Sequence, residues 1–126
     1  MNALRNVHRM LVAEGLLVDL HPVMPNPRIV AEGLDLGPLH QEGWAREWLR
    51  PTERGLAGLV REGLFEPVAA LDFHVVERHD DAQELLDDVD DWEYGWISHR
   101  LRQRILRARP PIDVTQHVVL RTYRGR

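Results

Sequence analysis

The sequence predicts an α/β layer fold, a small mixed sheet of three principal strands with helices packed on it and a small hairpin attached. Three observations carry this. A short apolar run, Leu16-Leu17-Val18-Asp19-Leu20, lies between Gly15 and His21-Pro22, as a strand does. Two later segments, around Ala69 to Val75 and Ile112 to Leu120, alternate apolar and polar residues. Between them, apolar residues recur at spacings of three and four, the period of an amphipathic helix. Mixed elements in this order pack as layers around one core.

Each element has its own local cause. Leu4, Val7 and Leu11 form one helical stripe from about residue 2 to 14, and Gly15 supplies the left-handed stop. The run at 16–20 reads as a strand buried on both faces, hence parallel and interior. Pro22, Pro25 and Pro27 impose an irregular loop over 22–27. Arg28 to Glu32 and Leu34 to Leu39 suit a hairpin that turns at Gly33. Trp44, Trp48, Leu49, Leu56, Leu59 and Val60 give a long helical stripe that Pro51 must kink or split.

Phe65 to Arg78 reads as a strand with Ala69, Leu71, Phe73 and Val75 on its inner face, and its early part tolerates Pro67. Asp80 or Asp81 caps a helix that carries Ala82, Leu85, Leu86, Val89 and Trp92. Ser98 caps another, with Leu101, Ile105 and Ala108 inward, stopped by Pro110-Pro111. Ile112, Val114, Val118 and Leu120 then alternate through a last strand to Tyr123. No internal repeat or linker interrupts residues 1–126, which read as a single domain.

Composition excludes several chemistries. The chain has no Cys, so disulfides, thiolate metal sites and Cys nucleophiles are absent. All 16 basic residues are Arg, which rules out a Schiff-base lysine and the lysine of a P-loop. An Arg-only basic set is what a GC-rich bacterial genome produces. Ser98 is the only serine and sits in no G-x-S-x-G elbow. A net charge of −4 argues against nucleic acid as partner. No apolar run approaches the roughly 18 residues of a membrane span, and the first residues form no signal peptide. A cytoplasmic protein is expected.

Two stretches carry a family likeness. Ala3-Leu4-Arg5-Asn6-Val7-His8-Arg9-Met10-Leu11 precedes Gly15-Leu16-Leu17-Val18-Asp19-Leu20-His21-Pro22. This resembles the helix and strand that close the parallel half of a class I S-adenosylmethionine-dependent methyltransferase, where a helix ending in His-Arg-x-Leu leads through a Pro-Gly-Gly-type turn into an apolar strand. Val12-Ala13-Glu14-Gly15 replaces that turn here. Gly63-Leu64-Phe65 and the strand after it look like the family's sixth strand, Asp81 to Trp92 like the next helix, and Val114 to Tyr123 like the antiparallel seventh. The resemblance implies a partial Rossmann-like sheet, with the strands at 16–20, 114–123 and 65–78 ordered as 5-7-6.

The glycine-rich loop that holds the methyl donor in that family has no counterpart, since none of the nine glycines forms a G-x-G. The chain thus corresponds to the C-terminal, acceptor-side half, expected to bind no S-adenosylmethionine alone. Its first strand is left with an unpaired edge, which invites a partner. The missing N-terminal half of a longer gene product, a second copy joined through 16–20, or a remodelled small domain would each resolve that edge. A non-catalytic module that dimerises or recruits a partner through 16–20 is the competing reading.

The resemblance places the rim at Asp19 and His21 toward a small-molecule methyl acceptor, with His21 as general base or orienting group. The bland alternative is that both satisfy loop backbone. Trp44 and Trp48, one helical turn apart, are candidates for a lid over the acceptor, or else simple core. The seven histidines (8, 21, 40, 74, 79, 99, 117) show no metal-ligand spacing, and His74 and His79 should point apart. Eight acidic residues from Asp80 to Glu93, followed by Arg100, Arg102, Arg104, Arg107 and Arg109, read as two helices with solvated outer faces and ion pairs between them.

Overall fold

A computed structural model describes residues 2–11, 14–23 and 26–126. The elements run α1 (Asn2–Met10), β1 (Leu16–Pro22), β2 (Arg28–Ala31), β3 (Leu34–Pro38), α2 (Glu42–Trp44), a π-helical turn (Ala45–Leu49), α3 (Arg50–Arg61), β4 (Phe65–His79), α4 (Ala82–Asp91), α5 (His99–Arg107) and β5 (Ile112–Gly125). The fold is mixed α/β. Its five strands form one open antiparallel sheet, in which β5 pairs with β1, β2 and β4, and β2 pairs with β3. The expected turn at Val12 and Ala13, and Pro25 of the proline loop, lie outside the described residues.

The chain divides into two compact units. One comprises Met1–His21, Ala45–Asp72 and Val119–Arg126, the other Pro22–Trp44 and Phe73–Val118. In the first, Leu56, Leu59, Phe65 and Tyr123 are buried together, with Leu4, Leu11 and Leu17 packed against them. Gly125 N donates to Gly15 O and Arg126 N to Leu64 O, so β1 and β4 flank the end of β5 on opposite sides.

In the second unit, the apolar stripes of α4 and α5 supply Leu85, Leu86, Val89, Leu101 and Ile105 to a core shared with Ile29, Ala31, Leu39, Ile112 and Val114. Both helices start where expected. Asp81 Oδ1 accepts from Glu84 N at 2.7 Å and Ser98 Oγ from Leu101 N at 3.0 Å, satisfying amides that have no partner in the first turn. The hairpin turns at Glu32 and Gly33, both at positive φ (54° and 72°), as a two-residue type I′ turn requires. Arg102 Nη2 bonds Asp90 Oδ1 at 2.6 Å, an ion pair between the acidic and basic helices.

Three expectations need correction. The strand at 16–20 is neither parallel nor buried on both faces. It runs antiparallel to β5 at the end of the sheet, and its exposure alternates, with Leu16, Val18 and Leu20 each more than half exposed. A run that is apolar at nearly every position cannot report which of its faces is covered.

On β4 the alternation is real, but the supposed inner face is open. Ala69, Leu71 and Val75 are exposed and Phe73 is only half-buried. As a terminal strand beside β5, β4 can keep Pro67, which costs no ladder hydrogen bond on its free side. Finally, the sheet is not a mixed one of three principal strands: the hairpin strands join it to give five, and it is antiparallel, because β2 pairs with β5. The break expected at Pro51 is present. The helix widens one turn earlier, at Ala45–Leu49, and Pro51 sits in the first turn of α3, where a missing amide is tolerated.

Candidate functional site

Strand alternation brings the site together. Asp19 and His21 are two residues apart on β1, so both project from the face that also carries Leu17 into the packed core. His21 Nδ1 lies 2.7 Å from Asp19 Oδ2. A carboxylate only accepts, so Nδ1 is the donor in this contact. The α3 helix then presents Glu53, whose Oε1 is 3.6 Å from Nε2, too long for a hydrogen bond and close enough for ionic attraction once the ring is protonated. The His21 side chain is 10% exposed, against 40% for Glu53.

The result is an imidazole oriented by one carboxylate, its free nitrogen facing a second and solvent beyond. Such a group can exchange a proton through Nε2, with a carboxylate on either side of the ring. That is the chemistry of a general base held in one orientation. Sequence reasoning found Asp19 and His21 by their place at a strand end. It missed Glu53, 32 positions further on, because only the packing of α3 brings it to β1.

Trp44 and Trp48 fall in different units. Trp48 is more than half exposed, and its carbonyl accepts from Thr52 Oγ1 at 2.8 Å. Trp44 is half-buried and lines a cleft of about 440 Å³, together with Pro22, Gln41, Asp91, Trp92, Glu93, Tyr94, Gly95 and Gln116.

A third group was not anticipated. His79 is buried, with Nε2 at 3.0 Å from Asp88 Oδ2 and 3.5 Å from Glu77 Oε1. Among the described residues these three form a cluster of possible metal ligands. The other ring nitrogen, Nδ1, is buried without a partner. It diverges from the carboxylates across the ring and so adds no donor to the cluster. The arrangement ties the end of β4 to α4 through Asp88. His74 does point away from it, stacking on His117 with centroids 4.9 Å apart.

Compared with protein-family models, with curated proteins and with solved structures, the chain matches none.

Proposed function

We propose that the chain is the acceptor-side half of a class I S-adenosylmethionine-dependent methyltransferase, and that it transfers no methyl group by itself. The observation that carries this is the arrangement inside the first unit. There β5 pairs with both β1 and β4, as it does with β2 further along, and we read the first three as counterparts of that family's strands seven, five and six. The Asp19–His21 pair lies at the C-terminal end of β1. In this reading His21 faces a small-molecule acceptor and takes its proton, while Asp19 positions the ring.

The residues present do not fit the methyl donor. Donor binding needs glycines between a strand and the helix that follows it, so that backbone amides reach the ligand. Here Gly33 and Gly37 serve the hairpin, Gly58 lies inside α3, Gly63 leads from helix to strand, and Gly95 lies between two helices.

Two experiments test the reading. Calorimetric titration of the purified chain with S-adenosylmethionine should give no saturable heat, and micromolar binding would refute the claim of inactivity. The DNA preceding the Met1 codon should encode, in frame, a strand followed by a glycine-rich loop. Non-coding sequence there removes the half-enzyme reading.

One observation favours a second reading, a non-catalytic module that pairs with a second copy of itself. Leu16, Val18 and Leu20 form an exposed apolar row on a strand that ends the sheet, a surface that invites strand pairing. Light scattering separates the readings, since only the second requires a dimer of the isolated chain.

A further inference from the structure

We propose that the cleft lined by Trp44, Trp92 and Tyr94 is a binding site for a small organic cation of the alkylammonium type. Its chemistry is one-sided. Trp44, Trp92 and Tyr94 line it, Asp91 and Glu93 supply two carboxylates, and Gln41 and Gln116 add amides, while among the described residues no Arg or His lines it. Ring faces carry negative quadrupole density and attract a cation, most strongly one too weakly hydrated to prefer water. Carboxylates at the rim add long-range attraction of the same sign. The two carboxylates disfavour an anion, and the aromatic side chains favour a weakly hydrated organic cation. A volume of about 440 Å³ lies in the ordinary range for small-molecule sites.

The walls are built rather than incidental. Trp92 closes α4, and its ring lies so close to Gly95 that a Cβ there would meet Cε3 at 2.9 Å. Tyr94 Cδ1 lies 3.9 Å from where a Cβ on Gly43 would stand, so the tyrosine ring is seated on α2. The segment carrying both rings is fastened at its far end. His40 N donates to Trp96 O at 2.8 Å and Trp96 N to His40 O at 3.1 Å, with the two rings stacked at 4.1 Å. Asn26 Oδ1 accepts from Gln41 N at 2.8 Å and holds the opposite wall. The Trp92 and Tyr94 rings are thus seated before any ligand arrives, which lowers the ordering cost of binding. This inference does not depend on methyl transfer.

The test uses choline as probe and 3,3-dimethylbutan-1-ol, its uncharged isostere, as control. Each is titrated with the intact chain while the methyl singlet is followed by proton NMR. Rings that enclose the cation shift that singlet upfield in a saturable way. The expected result is choline binding at least about tenfold tighter than the alcohol. The double variant Asp91→Asn, Glu93→Gln, both positions being exposed, should fold as the parent by circular dichroism. It should weaken choline about tenfold and leave the alcohol unchanged. Equal affinity for the two probes, no saturable shift, or choline binding indifferent to the double variant would each overturn the assignment. None of these outcomes touches donor binding, so the methyltransferase reading stands or falls separately.

Discussion

Two glycine-to-alanine substitutions should move stability in opposite directions. At Gly95 a new methyl would stand 2.9 Å from Trp92 Cε3 and 3.3 Å from Trp92 Cβ, distances at which something must shift. The Trp92 ring packs against the core of the second unit and its Cβ is tied to the helix end, so neither gives way freely. Overpacking of this kind costs about 1–3 kcal/mol. At Gly58, inside α3, the same methyl meets nothing nearer than the Arg61 guanidinium at 3.7 Å. There the substitution only restricts the unfolded chain and improves helix propensity, a gain of about 0.5–1 kcal/mol. For a chain of this size 1 kcal/mol corresponds to roughly 3–6 °C in melting temperature. Scanning calorimetry should therefore show Gly95→Ala melting about 3–18 °C lower and Gly58→Ala about 2–6 °C higher. A neutral or stabilising Gly95→Ala would mean that Trp92 does not sit against that backbone, and the ring seat of the proposed cation cleft would be lost with it.

Glu42 accepts from Asn26 Nδ2 and faces His40 Nδ1 at 2.8 Å, and these partners, His40 foremost, hold its carboxyl at about 2, below the ordinary 4.5. A lowered carboxylate contributes stability above pH 4.5 that disappears as pH falls toward 2. Because the side chain is half exposed, solvent screening keeps that contribution small, so the direct measurement is the carboxyl carbon-13 titration. A midpoint near 4.5 would contradict the assigned contacts. For the dimer reading, Val18→Lys is the clean probe. Its side chain is exposed, so the fold should survive within about 0.5 kcal/mol while a dimer dissociates. Leu17→Lys buries a charge against Leu56, Leu59 and Phe65 and should unfold the unit instead. A dimer that survives Val18→Lys would exclude this face.

What the sequence disclosed and what it hid divide along one physical line. Caps and turns were legible because their causes are local. Asp81 and Ser98 bond amides three residues on, and Gly33 follows from the positive φ of a two-residue turn. Asp19 and His21 were legible together because a strand places i and i+2 on one side. Periodicity tells which residues share a face and says nothing about what covers it. That is why Leu71 and Val75 were expected inside and stand in solvent, and why β1 was read as buried on both sides. Glu53, Asp88 and the meeting of Trp44 with Trp92 and Tyr94 required tertiary packing. No spacing in the chain announces them.

The two units differ in how well they cover their own strands, and that difference bears on function. The second buries ten apolar residues in one cluster, supplied by two capped helices and a hairpin. The cluster of the first holds four, and the unit leaves Leu16, Val18 and Leu20 of β1 and Val68 and Leu71 of β4 exposed, while the second leaves Leu34, Val75 and Val76 exposed. At about 25 cal/mol for each Å² of apolar surface removed from water, covering such a row is worth several kcal/mol, a large fraction of the stability of a small domain. Both readings of this chain therefore require that the open strands of the first unit be covered in the working protein. In one, the cover is the rest of the methyltransferase sheet, adding its fourth strand along the free edge of β1. In the other it is a second copy. The Asp19–His21 pair gains a task only in the first case, since an imidazole oriented by a carboxylate has no use in a purely adhesive surface. His21→Gln therefore separates the two, by abolishing acceptor chemistry in the completed enzyme while leaving dimerisation of the isolated chain untouched.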